Sequence, residues 1–306
     1  MTEIADAHSG FVAVMGRPNV GKSTLLNTLL QQKVAAVSPR PQTTRRQQLG
    51  ILTRPDGQII FVDTPGVHVP RHRLGEGMNQ AARAALMDAD LILFLVDASQ
   101  SPDEEDRLLA GWIIELNLAA RCFLTLNKCD LLTPAEIVQR QALYQEMLPT
   151  AELCNISAAN GSGCQALVER LLARLPAGPA FYPEDQVTDF YEREIASDLI
   201  REAALLHLRD EVPHGIAVRI DEYKDRGEDK AYILATVFVE RETHKGIVIG
   251  QGGAMLKKIG AEARAQIETM TGRGVYLELK VKVQKNWRDD ESSLRQFGLL
   301  TRPDDK

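Results

Sequence analysis

At 306 residues the chain is longer than one compact domain usually is, so about two domains are expected. Hydrophobic residues at 44% and charged residues at 25% match the ordinary balance of folded globular proteins, which argues against disordered and fibrous classes. The net charge of −6 argues against an evenly basic surface, yet between Lys245 and Arg288 nine Lys and Arg face three Glu, so positive charge is concentrated in one stretch.

The opening, MTEIADAHSG, carries no basic segment followed by an apolar run, and no stretch reaches about 20 apolar residues, so neither secretion nor a transmembrane segment is expected. The apolar runs 11–16, 59–63, 91–97 and 121–127 alternate with helix-patterned segments at 22–31, 74–88, 102–117 and 133–148. Continuous apolar runs of that length read as strands buried on both faces, the mark of a mostly parallel sheet with helices on both sides. Ser101-Pro102 and Thr133-Pro134 look like helix starts, and LCNIS with 164–175 completes an α/β domain. Cys122, Cys129, Cys154 and Cys164 form no CxxC pair and have no His at ligand spacing, which reads as free thiols in a reducing, cytoplasmic compartment rather than zinc ligands.

Gly16-Arg17-Pro18-Asn19-Val20-Gly21-Lys22-Ser23 fits GxxxxGK[ST] between a buried strand and a helix. Its backbone N–H groups and the helix dipole suit a phosphate, Lys22 the β and γ phosphates, and the Ser23 hydroxyl Mg2+; Thr24 completes the loop. The bland alternative is a glycine-rich turn with a chance lysine. Arg40-Pro41-Gln42-Thr43-Thr44-Arg45 lies where a first switch belongs, and Thr44 is preferred over Thr43 as a second hydroxyl for the metal. Asp63-Thr64-Pro65-Gly66 follows a strand: Asp63 suits Mg2+ through water, and the Gly66 N–H suits the γ-phosphate. Asn127-Lys128-Cys129-Asp130 ends another buried strand, where the Asp130 carboxylate can accept two donors on the guanine edge and Asn127 and Lys128 brace the pocket. Ser157-Ala158 falls where a backbone N–H would read the guanine carbonyl. Lys22, Asp63 and Gly66 are thus the expected catalytic residues of GTP hydrolysis to GDP.

Pro176-Ala177-Gly178-Pro179 to Asp189 opposes helix continuation, and the expected organisation is a GTPase domain at 1–178, a linker at 179–191 and a second domain at 192–306. There the order becomes helix (192–209), strand (215–223), strand (231–240), short helix, glycine turn, helix (253–270) and strand (275–283), an α+β arrangement; the tail from Trp287 reads as a polar extension. Gly250-Gln251-Gly252-Gly253 before a helix is the context of a KH-type GxxG turn, where a chain without side chains lets an RNA strand approach. Lys245, Lys257 and Lys258 supply charge, and Lys280 and Lys282, with Lys285, make a strand-borne basic row. The alternative is a glycine hairpin beside a solvated basic helix.

The set GRPNVGKS, PQTTR, DTPG, NKCD and SA, with FYPEDQVTD and VIGQGG before LELKVKV, resembles the Era family of bacterial GTPases over nearly the whole chain. The resemblance implies a P-loop GTPase domain followed by a type II KH domain. It also implies a cytoplasmic factor that binds small-subunit ribosomal RNA and acts in assembly of the small ribosomal subunit. Lys280 departs from the family's usual aromatic in that segment. After Gly66 stands Val67, which cannot orient water as a Ras-type Gln does. The resemblance suggests K+ held partly by Asn19; a turn residue stabilising its own loop is the other reading. His68 and Arg71 read as solvated loop residues. Two rival functions remain at this point: a binding module whose nucleotide is a structural lock, and a protein docking on a membrane surface, for which the Ala- and Ile-lined 253–270 helix is poorly suited.

Overall fold

The computed structural model describes residues 7–37, 45–66, 72–189, 191–227 and 229–300. The chain forms two compact units. The first holds almost everything up to Asp189, and the second runs from 191 onward and takes in 35–37 and 72–77.

The first unit is a six-stranded sheet in the order β2-β3-β1-β4-β5-β6. Its strands are β1 (His8–Met15), β2 (Gln48–Arg54), β3 (Gly57–Asp63), β4 (Leu91–Asp97), β5 (Cys122–Asn127) and β6 (Glu152–Asn155). Only β2 runs antiparallel, against β3. The period of two divides each central strand between two cores. Val12, Val14, Leu91, Leu93 and Leu95 pack toward α1 (Lys22–Leu30) and α5 (Cys164–Arg174). Ala13, Met15, Ile92, Phe94 and Val96 pack toward α2 (Arg73–Asp88), α3 (Glu104–Glu115) and α4 (Pro134–Gln145). Burial on both faces explains why β3, β4 and β5 are unbroken apolar runs. The edge strand β2 is half-exposed and lacks such a run, so the sequence reading had no separate strand for it.

Helix starts follow local side-chain chemistry. Thr133 caps α4 reciprocally with Glu136, with Pro134 in the first turn as expected. The cap of α3 is Asp103 rather than Ser101: its carboxylate accepts from the Asp106 N–H at 3.0 Å while the Asp103 N–H donates back to Asp106 at 3.2 Å. Two reciprocal bonds outcompete one serine hydroxyl.

The segment 179–189 is not a loose connector. Gln58 accepts from the N–H groups of Phe181 and Tyr182, the Ile51 N–H donates to Val187, the Thr188 hydroxyl donates to Leu49, and Asp189 accepts from the Leu49 N–H. These residues lie along the outer strands of the first unit.

The second unit has the order α6 (Glu192–His207), β7 (Ala217–Asp225), β8 (Lys230–Val239), α7 (Glu242–Ile249), α8 (Ala254–Thr271), β9 (Gly274–Val283), α9 (Glu291–Gln296). β8 is central, antiparallel to β7 and parallel to β9. Apolar residues of α6 and α8 form one core with one face of this sheet, including Leu199, Ala203, Ile259, Ala263, Ile233 and Val237. This is the α+β arrangement of a type II KH fold. The tail departs from the expected polar extension. Trp287 is fully buried, its indole N–H donates to the Gly215 carbonyl at 2.9 Å, and Phe297 packs on Phe238 with ring centroids 4.7 Å apart. An apolar anchor in a polar stretch makes no periodic pattern, yet the Asp290-capped α9 brings Phe297 onto the sheet. Among the described residues no helix is long and apolar enough to cross a membrane.

Candidate nucleotide site and RNA-facing turn

The C-terminal ends of β1, β3, β4 and β5 lie side by side, and β1 is where the chain turns from one side of the sheet to the other. Open α/β sheets hold their ligands at that crevice. Gly16 leaves β1 so close to β4 that a Cβ would stand 2.3 Å from the Leu95 carbonyl, and one on Gly21 would stand 2.3 Å from the Asn127 side chain. Both positions therefore require glycine. Gly21 and the exposed Asn19 have left-handed backbone at φ 104° and 65°, which tightens the loop before α1. Arg17, Pro18 and the buried Val20 complete it.

Lys22 is buried, and its ammonium donates to the carbonyls of Gly16 at 2.8 Å and Arg17 at 3.0 Å. Burial pulls its pKa down to about 8, partly opposed by the Asp63 carboxylate. A desolvated cation at the start of a helix suits an anion. Ser23 and Thr24 sit in the first turn of α1, half-buried. Asp63 is fully buried at the end of β3, in register with Val14. A hydroxyl and a carboxylate are the hard oxygen donors that Mg2+ prefers. Among the described residues there is no cluster of three His, Cys, Asp or Glu. Thr44, the other expected donor, lies outside the described residues, as do Val67, His68 and Arg71. Thr64 is locked by its hydroxyl donating to Val14 at 2.7 Å, and Pro65 and Gly66 are buried beyond it. A Cβ on Gly66 would stand 3.2–3.3 Å from Pro18, so the DTPG segment runs against the phosphate loop.

The Asn127-Lys128-Cys129-Asp130 and Ser157-Ala158 motifs are joined through one carboxamide. Asn127 donates to the Val20 carbonyl at 2.7 Å and accepts from the Ala158 N–H at 2.8 Å, linking the phosphate loop to the Ser157-Ala158 loop. The Thr28 hydroxyl of α1 donates to the Ala158 carbonyl at 2.7 Å, and the Ser157 N–H donates to Ser162. A guanine carbonyl read in this loop would share the Ala158 donor with Asn127 or take the next N–H. Lys128, at φ 66°, donates to Asp97 at 2.6 Å, while Asp130 is exposed. Asp97 is almost fully buried; burial raises its pKa, but the bonds from Lys128 and Ser99 outweigh that and hold the carboxyl below its usual range.

A second network escaped the sequence reading. The Arg17 guanidinium donates to Gln100 at 2.8 Å and lies 3.3 Å from both Asp103 and Asp106, whose carboxylate is fully buried. Burial is the largest influence on Asp106 and raises its pKa to about 6, against the Asp103 N–H bond and the Arg17 charge. Tyr144 donates to the Asp97 carbonyl at 3.1 Å and lies 3.5 Å from Asp106. The phosphate loop, the start of α3 and the Lys128 partner Asp97 are thereby connected. The only signals in sequence are a carboxylate closing the run LILFLVD and an acid in the N3 place of a helix.

In the second unit the turn Gly250-Gln251-Gly252-Gly253 joins α7 to α8. Gly250, Gly252 and Gly253 all have positive φ. A Cβ on Gly250 would press into Met255 at 2.7 Å, whereas Gly252 and Gly253 have nothing within 4 Å of that position. The first glycine is thus required by packing, and the other two bare the backbone. Beside the turn a groove between α8 and β9 is lined by Leu256, Lys257, Arg264, Val275, Leu277 and Leu279, with Tyr276 also bordering it. Lys257 and Arg264 are seven residues apart, on one helix face. Arg264 is thus an addition to the expected set, while Lys245 and Lys258 are not in the lining. Alternation along β9 sends Lys280 and Lys282 to the opposite face of the sheet from Leu277 and Leu279, so the lysine row does not serve this groove.

Residues 11–128 match the family model of 50S ribosome-binding GTPases, and residues 211–288 match that of the KH domain. The chain is 45% identical over 95% of its length, and 97% of the relative's, to GTPase Era of Geobacter metallireducens. It is 42% identical, with the same coverage of each, to GTPase Era of Heliobacterium modesticaldum. Among solved structures it is similar to Era in complex with MgGDPNP and nucleotides 1506–1542 of 16S ribosomal RNA, at TM-score 0.91 and 39% identity over 96% of this chain and all of that one. A variant of Aquifex aeolicus Era bound to GDP and aluminium fluoride is similar at the same TM-score and 38% identity, with the same coverage.

Proposed function

The chain belongs to the Era family of GTPases, and from that premise we propose that it is a GTP-controlled factor that binds small-subunit ribosomal RNA through its second unit and acts in assembly of that subunit in the cytoplasm. Hydrolysis of GTP to GDP is the activity of the first unit. There the phosphate loop 16–24 would hold the β and γ phosphates on backbone N–H groups and Lys22, Asp63 and Gly66 would face the γ-phosphate, and Asp130 would select guanine over adenine. Mg2+, when bound at Ser23, Asp63 and Thr44, supplies charge to the phosphate oxygens. The side chain of Val67 cannot orient a water molecule, so we propose K+ at Asn19 as a further fixed charge near the phosphates.

The observation that carries the RNA reading is the bare turn at Gly252 and Gly253 beside a groove with apolar walls and two basic side chains. A single RNA strand with its phosphates on the turn and its bases in the groove meets those demands. The segment of 16S RNA held by the 39% identical Era structure supports the choice of ligand. Crosslinking to small-subunit RNA with a GTP analogue and with GDP tests it. Crosslinks at 250–264 that change with the nucleotide are expected; none in the second unit under either condition would overturn the reading and return the molecule to a GTPase with an unassigned partner.

A further inference from the structure

We propose that Tyr276, with Tyr232 and Arg226 stacked behind it and Lys280 and Lys282 on the same strand face, is a base-stacking platform for single-stranded RNA that leaves the groove over β9. The proposal rests on the RNA reading above and adds a second surface to it.

The face of the sheet opposite α6 and α8 has two different halves. At one end Phe238 is covered by Phe297, on which Trp287 packs edge-on. At the other end Tyr276 is 66% exposed on the edge strand. Its ring is stacked on Tyr232 of β8 with centroids 5.7 Å apart and planes 18° from parallel. Tyr232 in turn carries the Arg226 guanidinium 4.8 Å from its centroid and donates its hydroxyl to Glu278 at 3.0 Å. Cation, ring and ring therefore form a stack that runs from Arg226, just past the end of β7, across β8 and β9, stiffened at its base and ending in an exposed ring at the edge. Such a stack is pre-ordered: a base added to Tyr276 would find a ring already held in place.

Position and charge favour RNA. β9 is the strand shared by both surfaces: Val275, Leu277 and Leu279 line the groove, Tyr276 also borders it while its ring stacks on the outer face, and Glu278, Lys280 and Lys282 alternate onto that outer face. A strand of RNA crossing this one edge moves from groove to platform. On the outer face Arg219 pairs with Asp221 at 2.7 Å, Lys224 pairs with Glu222, and Lys280 lies 3.7 Å from Glu278; Lys282 also bears on Asp221, so among the described residues of this face cations outnumber carboxylates. An aromatic plane flanked by cations suits bases and phosphates together.

Binding of the full chain to fluorescent single-stranded RNA oligonucleotides of four and of twelve nucleotides separates the two surfaces. Tyr276→Ala is expected to weaken the twelve-mer roughly five- to a hundredfold, the range for losing one stacked base, and to weaken the four-mer much less. Tyr276→Phe should restore binding, and quenching of a 2-aminopurine in the twelve-mer should be lost in the alanine variant alone. Lys282→Glu should weaken the twelve-mer through charge and serves as a second probe without touching the aromatic pair. Gly252→Asp should weaken both lengths. If Tyr276→Ala and Lys282→Glu bind the twelve-mer as tightly as the parent while Gly252→Asp does not, the platform falls and the groove stands. If Gly252→Asp binds both lengths normally, the groove reading falls instead.

Discussion

The carboxamide of Asn127 spends its donor on Val20 and its acceptor on Ala158, so Asp130 hangs from loops that are fixed before any base arrives. Replacing Asp130 by Asn exchanges one acceptor for a donor. Affinity for GTP should fall by a few kcal/mol as the charged two-point contact is lost, and xanthine nucleotides should be favoured; competition binding checks it, and unchanged GTP affinity would remove the guanine assignment. Asp106 makes a different prediction. Its carboxyl titrates near 6 in the fold and near 3.8 unfolded, so the folded state binds the proton more tightly. That contribution to stability is complete below about pH 4 and is lost as the pH rises through 6, a difference on the order of 2–3 kcal/mol. Unfolding by denaturant at pH 4.5 and 7 should show Asp106→Asn lacking this share of the slope. Asn19→Ala should abolish any stimulation of hydrolysis by K+ over Na+ while leaving GDP affinity nearly intact; equal parent rates in the two salts would discard the cation. The motif residues were legible because each motif is contiguous. Arg17, Asp106 and Tyr144 were not, since their contacts join residues far apart in the chain and nothing local marks them.

At the scale of elements, the doubly buried strands β3, β4 and β5 announce themselves because both faces are filled almost wholly by apolar side chains, the buried Gln58 and Thr125 being hydrogen-bonded. β2 is legible only once its partner is known: one face meets the core, the other is half-exposed, and its Gly50 breaks the pattern. The lysine row on β9 is a similar lesson, for alternation was visible but not which face would look at the groove. α9 is the largest departure. One tryptophan and one phenylalanine among polar residues give no periodicity, yet they seal an end of the sheet. Trp287→Ala should therefore cost about 3–5 kcal/mol, as deletion of a fully buried aromatic does. A thermal melt followed by far-UV circular dichroism should show the second unit's transition lowered, and the loss should be much smaller for Trp287→Phe, which keeps the ring but not the bond to Gly215.

For the whole molecule, two separately packed units and two chemistries imply separable failures. Gly252→Asp places a carboxylate where phosphate should lie, at a backbone angle that Asp tolerates better than most residues and with open space around it. RNA binding should be lost and GTP hydrolysis without RNA retained, which a phosphate-release assay run beside an RNA titration measures; joint loss of both would mean that the units do not work as modules. RNA binding by the parent should also fall steeply with salt, since each phosphate met by lysine or arginine releases counterions.

The pairing of residues 187–189 along β2 bears on the protein's behaviour at high concentration. A bare outer strand is a template on which another chain can add, and proteins protect such rims. Here the rim is closed by the chain itself, through the Ile51 bond to Val187 and the bonds of Leu49 to Thr188 and Asp189. The same few residues that lead from one unit to the next thus act as a guard against self-association, and cutting the chain between 179 and 189 would be expected to leave a first unit that folds but is colloidally less stable.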